Sequence, residues 1–78
     1  MALKLEKVFG DILRDARSRA GLSQEELAHS AGLDRTYISL LERGQRQPTL
    51  KTVFAIAKVL RVAPSTLVSR LEDKLRED

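Results

Sequence analysis

Residues 22–44 read LSQEELAHSAGLDRTYISLLERG, and this stretch contains two short helical patterns that meet at a glycine. Ser23 followed three residues later by Glu26 is a capping-box pattern, which predicts a helix that begins at Gln24. Gly32 tolerates the positive φ at which such a helix commonly ends. The stretch therefore predicts a helix, a tight turn and a second helix.

The second helix is predicted to begin at Arg35, because the Asp34 side chain can accept a hydrogen bond from the free N–H groups of its first turn. Ile38 and Leu41 share one face of this helix. The other side chains are an arginine and two hydroxyls, namely Arg35, Thr36 and Ser39. Such groups suit a helix that reads base edges in the major groove of DNA. We expect Arg35 to donate two hydrogen bonds to a guanine edge, and Thr36 and Ser39 to contact bases or nearby phosphates.

The amino-acid sequence of this stretch also resembles the Cro/repressor (XRE) family of bacterial and phage regulators. The resemblance rests on residues 23–28, on the glycine turn and on residues 38–44, and it covers roughly residues 9–67. Residues 33–39, together with the small size of the chain, are similar to the controller proteins of restriction–modification systems. The resemblance implies an all-α, lambda-repressor-like bundle of five helices with a central helix-turn-helix. It also implies a homodimer that regulates transcription from an inverted-repeat operator in double-stranded DNA.

Further site residues follow from this resemblance. In the family, the glutamine matching Gln24 and the basic loop residue matching Arg46 contact the DNA backbone, and we expect the same of Arg43. Tyr37 either reaches the backbone or packs inside the protein. Some family members activate transcription through acids that touch the sigma subunit of RNA polymerase, and Glu25 matches such a position. The operators of a controller protein would lie before its own gene and a restriction-enzyme gene, where it would both activate and repress.

The rest of the chain predicts three more helices. Residues 5–19 carry a core face at helical spacing: Leu5, Val8, Phe9, Ile12, Leu13 and Ala16. Gly10 interrupts this helix and suggests a close helix approach, while Arg17 or Arg19 could contact phosphate. Thr49 is predicted to cap a fourth helix whose core stripe is Leu50, Val53, Ile56, Ala57 and Leu60. Pro64 fits the first position of a fifth helix.

Some apolar residues exceed what the core of one small domain needs. Phe54 falls one position outside the stripe of the fourth helix, and Leu67 can complete the core. Exposed apolar stripes commonly mark a partner surface. We therefore predict a dimer interface formed by Phe54, Val68, Leu71 and Leu75, with residues 64–78 contributing to it. Residues 1–78 are interpreted as a single DNA-binding domain.

Composition narrows the possible functions. The chain has 78 residues, a net charge of +3 and no cysteine, so it holds neither disulfides nor thiolate metal sites. Between residues 35 and 61, Glu42 is the only acid among the bases, which are Arg35, Arg43, Arg46, Lys51, Lys58 and Arg61. A basic middle suits a surface that faces phosphate. No apolar run approaches membrane-spanning length and no signal peptide is recognised, so we expect a cytoplasmic protein without membrane contact.

Two alternatives stay open at this stage. An antitoxin that autoregulates a toxin operon could use the same fold with a toxin as its main partner. An enzyme is disfavoured, because the sequence contains no glycine-rich phosphate loop, no metal-ligand cluster and no nucleophile beside the single His29. We predict no catalytic residue, metal or cofactor. The operator sequence, the target genes, the sign of regulation and the role of Leu40 do not follow from the sequence.

Overall fold

The computed structural model describes residues 2–77, and the side chains from residue 4 onward. Five α-helices follow one another along this part of the chain: α1 (Ala2–Arg19), α2 (Gln24–Ala31), α3 (Arg35–Glu42), α4 (Leu50–Leu60) and α5 (Pro64–Arg76). Helix α1 packs against α3 and α5, α2 against α3 and α4, and α4 against α5. The predicted all-α bundle is confirmed, and α1 begins three residues earlier than residue 5.

Local signals in the sequence define the ends of α2. The Ser23 hydroxyl accepts a hydrogen bond from the Glu26 N–H at 3.0 Å, and the Glu26 carboxylate accepts one from the Ser23 N–H at 2.8 Å. This reciprocal pair is the predicted capping box. At the other end Gly32 has φ 70°, and the Leu33 N–H donates to the Ala28 carbonyl at 2.8 Å. The chain can therefore leave α2 and enter α3 within a short turn.

The later helices also begin with recognisable caps. The Asp34 carboxylate accepts a hydrogen bond from the Thr36 N–H at 3.2 Å, which confirms it as the cap of α3. The Thr49 hydroxyl accepts one from the Thr52 N–H at 3.1 Å at the start of α4. Pro64 occupies the start of α5, where its missing N–H would have had no helical partner.

The core lies where the apolar stripes of all five helices meet. Its buried members are Phe9, Ile12, Leu13, Ala16, Leu27, Ala28, Ile38, Leu41, Val53, Ile56, Ala57, Leu60 and Leu67. Two residues that were predicted to be in the core are not there: Leu50 is 76% exposed and Leu5 is 37% exposed. Both stand in the first turns of their helices, where the apolar stripe extends beyond the neighbours that bury its centre.

Gly10 brings α1 into direct contact with the C-terminal end of α3. A Cβ atom added at Gly10 would lie 2.6 Å from the carbonyl oxygens of both Leu41 and Glu42. Only a residue without a side chain fits so close to these carbonyls. Gly44, at φ 73°, is equally close to α1, since a Cβ there would lie 2.8 Å from the Lys7 Cα. The close helix approach suggested by Gly10 therefore exists, and it fixes where α3 ends.

No single helix within residues 2–77 combines the length and the apolar composition needed to cross a membrane. Helices α4 and α5 reach that composition only as a pair, and they are bent by 107° at the break between them.

Candidate nucleic-acid interface

Helix α3 has one face inside the protein and another face available to a partner. Ile38 and Leu41 are fully buried on the inner face. Arg35 and Thr36 are exposed in the first turn, and Ser39 is half-buried one turn further on. Helical spacing brings these three polar residues together on the outer side of α3. The three side chains predicted to read bases therefore lie together on the outer side of α3, and their contacts with DNA stay a prediction.

A buried carboxylate anchors the inner face of α3. Glu42, the last residue of the helix, is only 1% exposed. The Arg17 guanidinium of α1 donates to both of its carboxylate oxygens, at 2.6 Å and 3.0 Å. The Gln24 amide at the start of α2 donates to the same carboxylate at 3.0 Å. Arg14 adds a donation to the Glu42 carbonyl oxygen at 3.3 Å. This network, called the Glu42 network below, joins α1, α2 and α3.

The Glu42 network stabilises the charged form of Arg17. The hydrogen bond from Arg17 to Glu42 raises the pKa of the arginine above its ordinary value, and the opposite charge adds to this, while burial opposes it. A buried carboxylate is tolerated only when it is paired and hydrogen-bonded. Because the partners come from two other helices, Glu42 holds α3 at a defined angle to α2.

The sequence interpretation missed this network. Arg17 was placed outside the core and considered for phosphate contact, but it donates to Glu42 and, at 2.8 Å, to the Leu22 carbonyl oxygen. Its guanidinium is therefore engaged within the protein. One signal could have revealed the pair: Glu42 follows Ile38 by four residues and Arg17 follows Leu13 by four. Each charge thus continues an apolar stripe and requires a buried partner.

Gln24 shares its side chain with the Glu42 network. Its amide nitrogen donates to the Glu42 carboxylate, so one of the two amide N–H groups is already used. The second N–H and the free backbone N–H groups at the start of α2 are the donors that could meet a phosphate. Backbone contact by Gln24 stays a prediction.

Tyr37 lies on α3 between the outer face and the core. Its side chain is half-buried and packs against the core residues. Its hydroxyl oxygen lies 3.4 Å from the Thr52 hydroxyl of α4. The ring therefore packs inside the protein, while contact between its hydroxyl and the DNA backbone stays a prediction.

The exposed charges that follow α3 in the sequence favour an anionic partner. Arg43 and Arg46 are exposed directly after the helix, and so are Lys51, Lys58 and Arg61 further along. The only acid between residues 35 and 61, Glu42, is buried and paired with Arg17. The exposed charges of this segment are consequently all positive, which makes it more basic than the sequence count alone indicates.

The predicted dimer residues differ in their exposure. Phe54 is 60% exposed and Val68 is 49% exposed, and their place in a dimer interface stays a prediction. Leu71 and Leu75 are half-buried, and Leu71 packs partly against the core.

Leu40 on α3 is also half-buried. Glu25, the candidate polymerase contact, is exposed on α2, as is His29. Within residues 2–77, no group of three or more His, Cys, Asp or Glu side chains could hold a metal ion.

Comparison with known proteins identifies the class to which this fold and surface belong. A helix-turn-helix family model matches residues 13–67, which is well over half of the chain. The chain is a member of the helix-turn-helix family.

Within that family the chain is similar to restriction–modification controller proteins. It is 37% identical over 68 residues to control protein C.SmaI of Serratia marcescens, covering 87% of this chain and 81% of that protein. It is 41% identical over 69 residues to control protein C.BamHI of Bacillus amyloliquefaciens, covering 87% and 85%. The crystal structure of controller protein C.AhdI of Aeromonas hydrophila is 44% identical, with a TM-score of 0.76 over 78% of this chain and 92% of that one. The resemblance suggested by residues 33–39 is confirmed.

A further controller protein has been crystallised on DNA. C.Esp1396I, as a tetramer in complex with its natural 35-base-pair operator, matches with a TM-score of 0.80 and 34% identity over 90% of this chain and 92% of that chain. These relatives are control and controller proteins, and they give no support to the antitoxin alternative.

Proposed function

We propose that this chain is a sequence-specific DNA-binding transcription regulator that reads the major groove with α3. The observation that carries the proposal is the division of α3 into two faces. The inner face is buried and anchored through Glu42, while the outer side presents Arg35, Thr36 and Ser39. Arg35 would read a guanine edge, and the two hydroxyls would contact neighbouring bases. Contacts to phosphate and sugar would come from Gln24, Tyr37, Arg43 and Arg46.

The regulator would act as a homodimer on two inverted half-sites. A two-fold dimer presents the same surface twice, so one copy of α3 can enter each of two successive major grooves about 34 Å apart. Support comes from the exposed Phe54 and Val68 and from C.Esp1396I, which binds its operator as an oligomer. Phe54, Val68, Leu71 and Leu75 would form the interface.

The similarity to C.SmaI and C.BamHI supports a more specific role. The chain would be the controller of a restriction–modification system, acting in the cytoplasm on operators before its own gene and the restriction-enzyme gene. A titration of the purified chain against a duplex taken from upstream of its gene tests the proposal. The protein should bind the upstream duplex at least about a thousandfold more tightly than a shuffled duplex of equal length. Equal affinity for the two duplexes would refute sequence-specific binding.

Activation through Glu25 is a second part of this proposal. Glu25 is an exposed acid in the first turn of α2 and is not a member of the Glu42 network. We expect Glu25→Lys to bind the upstream duplex as the parent does and to lose activation of a reporter gene. A reporter that responds equally to the parent and to Glu25→Lys would remove Glu25 from the activation surface.

A further inference from the structure

Three hydroxyl groups form a chain between the start of α4 and the recognition helix. The Thr49 hydroxyl donates to the Thr52 hydroxyl at 3.0 Å, and the Thr52 and Tyr37 hydroxyl oxygens are 3.4 Å apart. Thr49 is exposed, Thr52 is only 7% exposed and Tyr37 is half-buried. This hydroxyl chain thus leads from Thr49, the cap of α4, through the buried Thr52, to Tyr37, which lies beside the base-reading residues.

The hydrogen bonds at Thr49 set the direction of the first step of this hydroxyl chain. The Thr49 oxygen accepts from the Thr52 backbone N–H, and its single proton goes to the Thr52 oxygen. A hydroxyl has one proton to donate and two lone pairs to accept. The Thr52 oxygen accepts the Thr49 proton with one lone pair, which leaves its own proton available to the Tyr37 oxygen. Either hydroxyl can be the donor in this second pair, and we take Thr52 as the donor. Tyr37 then accepts from inside the protein and keeps its phenolic proton for an acceptor outside it.

We propose that Thr52 is a positioning residue for DNA binding, which orients the Tyr37 hydroxyl as a donor toward a phosphate oxygen. The inference rests on the proposed function of the chain. A phosphate oxygen can only accept a hydrogen bond. It therefore binds the Tyr37 hydroxyl only when the phenolic O–H points toward it. Successive hydroxyls in such a chain also polarise one another and strengthen the terminal donor. Thr52 itself is too deeply buried to meet DNA, so its effect must pass through Tyr37.

Substitutions at Thr52 separate this role from a purely structural one. Thr52→Val removes the hydroxyl, and Thr49, being exposed, can donate to water in its place. Thr52→Ser keeps the hydroxyl and serves as the matched control. Tyr37→Phe removes the proposed phosphate donor and leaves the ring in the core. Melting curves of each variant, without DNA, fix a temperature at which all of them are folded.

The test is a binding titration of the parent, Thr52→Val, Thr52→Ser, Tyr37→Phe and the Thr52→Val/Tyr37→Phe double variant on the upstream duplex. We expect Thr52→Val and Tyr37→Phe each to weaken binding by about three- to tenfold, the range of one net hydrogen bond. The double variant should bind no more weakly than the weaker single variant, and Thr52→Ser should bind as the parent does. The salt dependence should not change, because no cation has been removed.

Two results would overturn the proposal. Parental affinity in folded Thr52→Val would show that Thr52 does not position a DNA contact. Losses that multiply in the double variant would show that Thr52 and Tyr37 act independently. A parent protein that does not distinguish the upstream duplex from a shuffled one would instead overturn the proposed function, and this inference with it.

Discussion

At the scale of single residues, Arg35 and Arg46 differ in what they can recognise. Arg35 is exposed in the first turn of α3, beside Thr36. Arg46 is exposed in the segment between α3 and α4. A guanidinium that meets a guanine edge distinguishes base pairs, whereas one that meets a phosphate strengthens binding to every sequence.

Replacing each arginine separates these two roles. Arg35→Ala should cost about 1–3 kcal/mol on the cognate duplex and relax the preference at one base pair. Arg46→Ala should weaken binding to all duplexes alike and lower the salt dependence by about one unit of slope. Titrations across single-base variants of the duplex, at several salt concentrations, measure both effects. A uniform loss of affinity in Arg35→Ala would rule out its base-reading role.

At the scale of the helices, the Glu42 network decides how the helix-turn-helix is held. Its bonds join the end of α3 to α1 through Arg17 and to the start of α2 through Gln24. The close packing of Gly10 on the Glu42 carbonyl adds a second contact at the same place. The orientation of the recognition helix therefore depends on a charged cluster as well as on the apolar core.

Glu42→Gln tests this dependence. The substitution removes the counter-charge of Arg17, whose side chain is 15% exposed, and breaking this largely buried ion pair should lower the free energy of unfolding by about 3 kcal/mol. Glu72→Gln is the matched control, since Glu72 pairs with Arg76 at the surface, where the side chains are 66% and 70% exposed. The control should cost less than about 1 kcal/mol. Urea denaturation of both variants gives the comparison, and equal small losses would contradict the anchoring role.

Sequence patterns predicted the helices well, because the signals at their ends are local. Ser23 with Glu26, Asp34, Thr49 and Pro64 each act within one turn of the backbone they cap. The Glu42 network was missed because its members are distant in sequence and meet only after the helices have packed. The prediction that Leu50 belongs to the core was wrong for a related reason. An apolar stripe predicts which face of α4 points inward, but it does not predict how far along α4 the neighbouring helices extend.

At the scale of the whole molecule, the small size of the domain makes a partner important. A chain of this length buries only about 60% of its unfolded surface, so its stability alone is modest. Phe54 and Val68 remain largely exposed on helices that pack against each other, α4 and α5. A second copy of the chain would bury them, at roughly 1.5–3 kcal/mol for each large apolar side chain.

Val68→Glu should therefore convert the protein to a monomer. It should lower the melting temperature by mass action and weaken operator binding without removing a DNA contact. Leu71→Glu is less informative, because Leu71 also packs against the core and its replacement would unfold the monomer. Ser69→Glu, at an exposed neighbouring position, adds the same charge and should leave the dimer intact. Sedimentation at micromolar concentration distinguishes these outcomes, and a Val68→Glu dimer would exclude this surface.

Hydroxyl-radical footprinting of the parent protein on the DNA upstream of its gene tests the central claim most directly, that two copies of α3 read two inverted half-sites. We expect two protected patches of inverted sequence, with centres about one helical turn of DNA apart. Protection spread evenly along the duplex, or a single half-site bound as tightly as the pair, would contradict it.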